Sequence, residues 1–194
     1  MNKIQYNPPI LAILTGVPGS GKSSISTGIY NASGKKIDEG IIDLISACYI
    51  DKDDINNAFT SERESSFYDI VSKGTYNVIE NLAKANLRLG NSVWIDATYT
   101  GQVKNPKWAD KYNQMCQENG ALLKLMRTVI PEHMLKQRIL ARGFERDNSK
   151  LNDWENFLIK EPIHVELPYG GIEVDTTLDY KQNLETVLEF LSRK

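Results

Sequence analysis

The chain has 194 residues, of which 41% are hydrophobic, and a formal net charge of −2. This length suits one domain with a packed core, and the small net charge argues against a large basic surface for nucleic acid. Residues 1–9 lack the apolar segment of a secretory signal, and no apolar run approaches the length of a membrane span. Cys48 and Cys116 match no metal-binding spacing, which favours free thiols in a reducing compartment. We therefore expect one cytoplasmic domain over residues 1–194, monomeric or homodimeric, without membrane contact.

Residues 16–23 read Gly-Val-Pro-Gly-Ser-Gly-Lys-Ser, which matches the pattern G-x-x-x-x-G-K-[ST]. The apolar run at residues 10–15 precedes it, as a buried parallel strand should, and residues 24–30 can follow as a helix. Glycines let the main chain approach a ligand, and successive N–H groups at a helix start form an anion-binding concavity. The pattern predicts a loop that binds nucleotide phosphates. The alternative is a glycine-rich turn with a chance lysine.

The residues of this loop have expected roles. Lys22 should reach the β- and γ-phosphates, and the Ser23 hydroxyl should ligate Mg²⁺, which prefers oxygen ligands. The expected nucleotide-binding residues in and after the loop are Gly16, Val17, Pro18, Gly19, Ser20, Gly21, Lys22, Ser23 and Ser24.

Two later apolar runs end in acidic residues, the first in the segment 51–54 and the second at Asp96. Ligands of open α/β sheets bind at the carboxyl ends of the strands. We therefore expect Asp96 to act as the Walker-B-like group of the magnesium shell, and Asp53 or Asp54 to face the cleft. The alternative is helix capping, by Asp53 or Asp54 for a turn that begins at Ile55 and by Asp96 before Ala97-Thr98.

The rest of the chain alternates helical patterns with short strands, separated by polar segments at 31–34 and 59–65. The predicted strands are residues 10–15, 47–50, 92–96, 122–129 and 172–175. A helical pattern covers residues 67–89, in which Gly74 is a possible break, and residues 100–107 read as a loop. A short apolar stretch at 41–45 is compatible with a helical turn or a strand. The alternation predicts a parallel sheet with right-handed crossovers.

Arginines gather in the second half of the chain. Arg138 and Arg142 lie one helical turn apart and precede a polar stretch, residues 143–152, that contains Arg146. Guanidinium groups match phosphate oxygens and stay charged, so this grouping suits a lid over a transferring phosphoryl group. The alternative is a solvent-exposed face paired with neighbouring glutamates. The pattern leaves open whether Arg127, near the end of the fourth strand, faces the cleft.

Together, the phosphate loop, the Asp53-Asp54 pair, Asp96 and the two arginines resemble the small P-loop kinases. Within that group the chain looks most like the polynucleotide-kinase and zeta-toxin branch, often labelled an AAA-type ATP-binding domain. The resemblance covers most of the chain in order, although only the phosphate loop is a specific motif. It implies a three-layer α/β fold with a five-stranded parallel sheet of order 2-3-1-4-5. It also implies ATP and Mg²⁺ as cofactors.

Carried over residue by residue, the resemblance implies catalytic roles for Lys22, Asp53, Arg138 and Arg142. Asp53 resembles the general base that takes the acceptor's proton, and the two arginines resemble lid residues that neutralise the transferring group. Thr176 resembles part of the loop beside the adenine. Polynucleotide kinases carry an arginine three residues after the base, where this chain has Asn56, which supplies no charge. A small acceptor is therefore expected, and extended nucleic-acid binding is not.

The predicted activity is transfer of the ATP γ-phosphate to a hydroxyl of a small molecule, sugar nucleotide or nucleotide. This chemistry demands alignment and charge stabilisation more than covalent help from the protein. Two other functions stay open, a nucleotide-gated ATPase without a phosphorylated acceptor and a polynucleotide 5′-hydroxyl kinase.

Overall fold

The computed structural model describes residues 3–4, 8–32, 36–37, 40–42, 47–60 and 66–193. Its strands are β1 (Lys3–Ile4), β2 (Ile10–Thr15), β3 (Lys36–Ile37), β4 (Gly40–Ile42), β5 (Cys48–Asp51), β6 (Val93–Asp96), β7 (Leu122–Val129) and β8 (Ile172–Asp175). Its α-helices are α1 (Lys22–Ala32), α2 (Lys52–Phe59), α3 (Ser66–Arg88), α4 (Pro106–Glu118), α5 (Glu132–Arg142), α6 (Asn148–Asn152), α7 (Trp154–Lys160) and α8 (Tyr180–Ser192). Short 3₁₀ turns cover Gln102–Lys104 and Glu145–Asp147.

The main sheet consists of five parallel strands in the order β5-β6-β2-β7-β8. Numbered along the chain within this sheet, the order is 2-3-1-4-5, so the fold implied by the resemblance is confirmed. Because all five strands run the same way, their carboxyl ends meet at one edge. The register pairs Asp51 with Asp96 and Thr15 with Arg127 at that edge.

Helices cover both faces of this sheet, which explains why its central strand β2 is apolar up to Thr15. All six residues of β2 are buried. Leu11 and Ile13 pack with residues of α3 and α4, whereas Leu14 and its alternate neighbours pack with α1 and α8. Each such side chain contributes roughly 1.5–3 kcal/mol by leaving water. The result is the three-layer arrangement expected from the sequence.

A second, three-stranded sheet has the order β1-β4-β3. Strand β4 pairs parallel to β1 and antiparallel to β3. The apolar stretch at 41–45 therefore contributes to a strand as far as Ile42. The remainder of that stretch lies outside the described residues, as do the predicted polar positions 33–34 and 61–65.

The start of α2 differs from the expectation. The helix begins at Lys52, directly after β5, and its N-cap is Asp51. The Asp51 carboxylate accepts hydrogen bonds from the backbone N–H groups of Asp53 at 2.7 Å and Asp54 at 3.3 Å. The alternative interpretation, in which Asp53 or Asp54 caps a helix beginning at Ile55, is therefore wrong. Because Asp51 at the end of β5 already accepts from two N–H groups in the first turn of α2, the helix begins directly after the strand.

The structure decides two further local points. Helix α3 continues through Gly74, where an added Cβ would meet no described atom within 4 Å. The propensity loss of about 1 kcal/mol for a helical glycine is offset by burial of Ile79, Ala83 and Leu87 on the same helix. The segment 100–107 is not all loop, because it holds a 3₁₀ turn and the start of α4, capped by Asn105.

The phosphate loop contributes to a third cluster of buried side chains. Val17 of the phosphate loop packs there with Leu135 and Ile139 of α5 and with Trp154 and Phe157 of α7. This packing joins the loop to the helices that carry the arginines. Among the described residues, no helix is both long and apolar enough to cross a membrane.

Candidate active site

The phosphate loop has the backbone geometry that its glycines predict. Gly16, Gly19 and Gly21 have φ angles of 147°, 90° and 95°, which side-chain-bearing residues rarely adopt. A Cβ added at Gly16 would collide with the Thr128 hydroxyl of β7. The Ser20 hydroxyl is buried, donating to the Val17 carbonyl at 2.7 Å and lying 2.6 Å from the Thr128 hydroxyl. Contacts with β7 and within the loop therefore hold its conformation without a ligand.

Lys22 folds back over this loop. Its Nζ donates to the carbonyls of Gly16 at 2.8 Å and Val17 at 3.2 Å. Burial lowers the pKa of Lys22, and the carboxylates of Asp96 and Glu161 oppose that shift. The ammonium group is thus held at the floor of the site, where an anion would meet it.

A cleft of about 730 Å³ opens above the loop. It brings together seven predicted site residues from five parts of the chain: Lys22, Ser23, Asp53, Asp96, Arg138, Arg142 and Thr176. Pro18, Gly19, Gly21 and Ser24 also line it. Val17 and Ser20 are buried and support the loop from below. Among the described residues that line the cleft, Asp53 is included and Asp54 is not.

An acidic pair closes one side of the cleft. Asp96 ends β6 and is 4% exposed, and its register partner on β5 is Asp51. The Tyr49 hydroxyl lies 3.4 Å from an oxygen of each carboxylate. Burial raises the pKa of Asp96 to about 6, Lys22 opposes this rise, and Asp51 adds to it. Asp96 and Ser23 line the same cleft, and a carboxylate together with a hydroxyl is an oxygen donor set that fits Mg²⁺.

Asp53 and Asn56 lie on the same short helix but face different surroundings. Asp53, in the first turn of α2, is exposed and lines the cleft. Asn56 is fully buried, donates to the Tyr68 hydroxyl at 3.1 Å, and accepts from the Thr75 hydroxyl at 2.6 Å. Asn56 therefore joins α2 to α3 and orients Tyr68, which lines the cleft.

The two predicted lid arginines have different partners. Arg138 donates to the Thr176 hydroxyl at 3.1 Å and to the Thr176 carbonyl at 2.9 Å, which ties α5 to the loop after β8. Arg142 donates from Nε to Asp147 at 2.5 Å, and Lys150 donates to the same carboxylate at 2.6 Å. Burial alone would raise the pKa of Asp147, but these two hydrogen bonds outweigh it and lower that pKa.

The polar segment 143–152 is more ordered than a loop. Most of this polar stretch is regular secondary structure, because it forms the 3₁₀ turn and helix α6. Arg146 lies over the Phe144 ring, with 4.8 Å between the guanidinium carbon and the ring centroid. Both Arg146 and Lys150 line the cleft.

Arg127 is fully buried and is not among the described residues that line the cleft. Its Nε donates to the Ile163 carbonyl at 2.8 Å, and a terminal nitrogen donates to the Pro162 carbonyl. Burial lowers the pKa of Arg127 to about 10, so the side chain stays charged at neutral pH. Its role is to hold the segment that follows α7.

A family model described as an AAA domain, AAA_33, matches residues 11–158 of the sequence. The chain belongs to this AAA domain family. No curated protein gives a significant match. The matched range contains the phosphate loop, both acidic strand ends and the arginines of this AAA domain, but not Thr176 or α8.

Solved structures with the same fold as this AAA domain include three kinases. A sugar kinase from Janibacter sp. HTCC2649 is 18% identical, with a TM-score of 0.64 and 95% of both chains covered. A gluconokinase from Sinorhizobium meliloti 1021 is 18% identical, with a TM-score of 0.59, covering 96% of this chain and 93% of that chain. An APS kinase from Mycobacterium tuberculosis, solved with AMPPNP and APS, is 15% identical, with a TM-score of 0.58 and coverages of 96% and 99%. The AAA domain therefore has a P-loop kinase-like fold.

Sequence reasoning missed several cleft residues of the AAA domain. Asp51 directly follows the predicted second strand, and the parallel register of β5 and β6 pairs it with Asp96. Tyr68, Lys150 and Glu161 carry no local signal, because their neighbours in sequence resemble ordinary helix surfaces. They reach the cleft through the packing of α3, α6 and α7.

Proposed function

We propose that this AAA-domain protein is an ATP- and Mg²⁺-dependent kinase that transfers the γ-phosphate to a hydroxyl group of a small acceptor. One observation carries the proposal. A phosphate loop with Lys22 at its centre and an exposed carboxylate, Asp53, line the same cleft. Phosphoryl transfer needs this combination, a held triphosphate and a group that receives the acceptor's proton.

The nucleotide side of the proposal rests on the loop. Its backbone N–H groups and Lys22 bind the phosphates, and the helix start of α1 adds a favourable dipole. Ser23 and Asp96 would hold Mg²⁺, which neutralises charge on the β- and γ-phosphates when bound. Arg138 keeps the Thr176 loop in place, so we assign it to positioning of the nucleotide base rather than to the transferring group.

The acceptor side of the proposal rests on Asp53. Its carboxylate accepts the proton of the acceptor hydroxyl while that oxygen forms its bond to the γ-phosphorus. The bond from the γ-phosphorus to the bridging oxygen breaks, and ADP leaves with that oxygen. Arg142 and Arg146 stabilise the charge on the transferring oxygens, since guanidinium groups match them in geometry.

We also propose that residues 143–152 act as a lid within a single domain. The ion pairs of Asp147 with Arg142 and Lys150 support this assignment, because they join the segment to α5 at the cleft. Closing the lid would exclude water from the transferring group.

The test is product analysis. The protein is incubated with γ-labelled ATP, Mg²⁺ and a panel of hydroxyl compounds, and the label is followed. A labelled acceptor is the expected result. Free phosphate alone would support the nucleotide-gated ATPase instead, and no affinity for any magnesium–nucleotide complex would overturn both functions.

A further inference from the structure

Glu161 is a cleft residue that the proposed mechanism does not use. It is the C-cap of α7, where its N–H donates to the Phe157 carbonyl at 2.8 Å. Its side chain lines the same cleft as Lys22 and Asp53. One carboxylate oxygen, Oε2, is buried and has no hydrogen-bond partner among the described residues. A buried acceptor atom without a donor is unfavourable, so a ligand that brings a donor would bind there favourably.

The backbone on both sides of Glu161 is held by cations from two other elements. Lys104 donates to the carbonyls of Ile159 at 2.8 Å and Lys160 at 3.2 Å. Arg127 donates to the next carbonyls, those of Pro162 and Ile163. These bonds hold Glu161 at one position relative to β7, as a binding residue requires.

The position of Glu161 is costly for stability. A carboxylate at the C-terminal end of a helix faces the negative end of the helix dipole. No described cation lies within ion-pair distance of it, since the nearby Arg127 bonds to backbone carbonyls instead. Longer-range attraction to Lys22 and Arg127 offsets part of this cost, but no hydrogen bond among the described residues satisfies Oε2. A residue that breaks a local rule in this way is typical of a functional site.

Six cations line the cleft among the described residues; five of them have hydrogen-bond partners there, and Arg146 lies over the Phe144 ring. Lys22 bonds to the loop that holds phosphates, Arg138 bonds to Thr176, and both Arg142 and Lys150 bond to Asp147. The Lys52 ammonium is buried against α3, where it donates to Ser72 at 2.9 Å. Arg142 keeps one buried nitrogen without a hydrogen-bond partner among the described residues, and the proposed function places Arg142 and Arg146 on the transferring phosphoryl group. The groups left to meet an acceptor near Asp53 are then Asp53 and Glu161 themselves, carboxylates that accept hydrogen bonds and repel anions.

We propose that Glu161 accepts a hydrogen bond from a hydroxyl or amino group of the acceptor, and so selects neutral or amine-bearing polyhydroxyl compounds over anionic ones. This inference rests on the proposed kinase function and narrows its acceptor class. Glu161 acts in binding, whereas the proton transfer stays with Asp53.

The experiment uses hydroxyl-rich acceptors of similar size that differ in charge. Glucose, glucosamine and gluconate are each supplied with saturating ATP and Mg²⁺, and kcat/KM is measured for each. The inference expects glucosamine or glucose to exceed gluconate by at least about tenfold, the factor that a difference of roughly 1.4 kcal/mol gives. The same compounds are also titrated by thermal shift in the presence of a non-hydrolysable ATP analogue.

The variant Glu161→Gln keeps the shape of the side chain and removes its charge. We expect it to raise the acceptor KM more than it lowers kcat, to shrink the preference against gluconate, and to raise the melting temperature of the ligand-free protein. Glu155→Gln, exposed on the same helix, is the matched control and should change none of these. A purely structural Glu161 would instead lower the melting temperature and affect all acceptors equally.

Two outcomes overturn the inference. One is an equal response to all three compounds, including no response in either assay. The other is an unchanged preference in Glu161→Gln. ATP affinity and the labelled-product assay test the proposed function separately. A kinase whose kcat/KM does not depend on the charge of the acceptor would therefore contradict this inference alone.

Discussion

Asp51 and Asp96 are register partners at the carboxyl ends of neighbouring strands, and the Tyr49 hydroxyl lies 3.4 Å from an oxygen of each. Asp51 directs a carboxylate oxygen to the start of α2, where it caps the helix. Asp96 has no such bond to the backbone among the described residues, and burial raises its pKa to about 6. Asp51 therefore has a structural role, whereas the charge of Asp96 destabilises the fold until a cation binds to it.

Asp96→Asn should stabilise the ligand-free protein at neutral pH. The folded-state pKa of about 6 lies above the ordinary value of 3.8, so the ionised carboxylate destabilises the fold. That destabilisation is fully present above about pH 6 and disappears below about pH 4. A shift of this size corresponds to roughly 2–3 kcal/mol, or several degrees in melting temperature. Thermal melts of both proteins between pH 4 and pH 8 would check the trend, and a gain that does not shrink at low pH would contradict it.

Lys22→Ala should reduce nucleotide turnover at least about a hundredfold, because it removes the cation at the centre of the phosphate loop. The measurement is ATP consumption at saturating Mg²⁺. Lys181→Ala is the matched control, since that side chain is 85% exposed and pairs with Glu185 on the surface of α8. Full activity in Lys22→Ala would show that the phosphate loop has no role in nucleotide turnover.

Asp53→Asn should leave magnesium–ATP binding nearly intact and remove transfer to the acceptor. The amide keeps the shape of the side chain but accepts no proton at neutral pH. Calorimetric titration and the labelled-product assay measure the two properties. Asp54→Asn, one residue further along α2, is the control and should retain both. A collapse of ATP binding in Asp53→Asn would mean that this residue holds the metal or the fold.

Arg138→Ala and Arg142→Ala should change different kinetic constants. Loss of the two Arg138 bonds to Thr176 should raise the KM for ATP by about tenfold, because charged hydrogen bonds contribute roughly 1.5–3 kcal/mol. Loss of Arg142 should lower kcat by about a hundredfold or more, as expected for a cation on the transferring group. Steady-state kinetics against Arg88→Ala, at the exposed end of α3, would separate these effects. Equal changes in both variants would contradict the division of roles.

Asn56→Ala should destabilise the protein by roughly 2–3 kcal/mol, since it leaves the buried Thr75 hydroxyl and Tyr68 without a partner on α2. Chemical denaturation measures the loss. Magnesium–ATP affinity should stay unchanged, because Asn56 does not line the cleft. A neutral effect on stability would show that the two helices are held together by other contacts.

Three strands could be predicted residue by residue. The runs at 10–15, 122–129 and 172–175 are the observed β2, β7 and β8. The central strand β2 is buried on both faces and is visible as an apolar run, whereas the edge strand β8 is visible as an alternation of apolar and acidic residues. The phosphate loop is equally local, because its function depends on backbone angles that glycine alone adopts freely. The sheet order came from the family resemblance that this loop introduced.

The sequence by itself determined the fold class, the phosphate loop and the acids at the strand ends, since each depends on neighbours within a few positions. Only the tertiary structure decided that Asp51 caps α2, that Arg138 bonds to Thr176, and that Arg127 turns away from the cleft. It also brought Glu161 to the same cleft as Lys22, which lies 139 positions earlier in the chain. These contacts join residues that the parallel sheet brings to one edge, and no local pattern records which side chains will meet there.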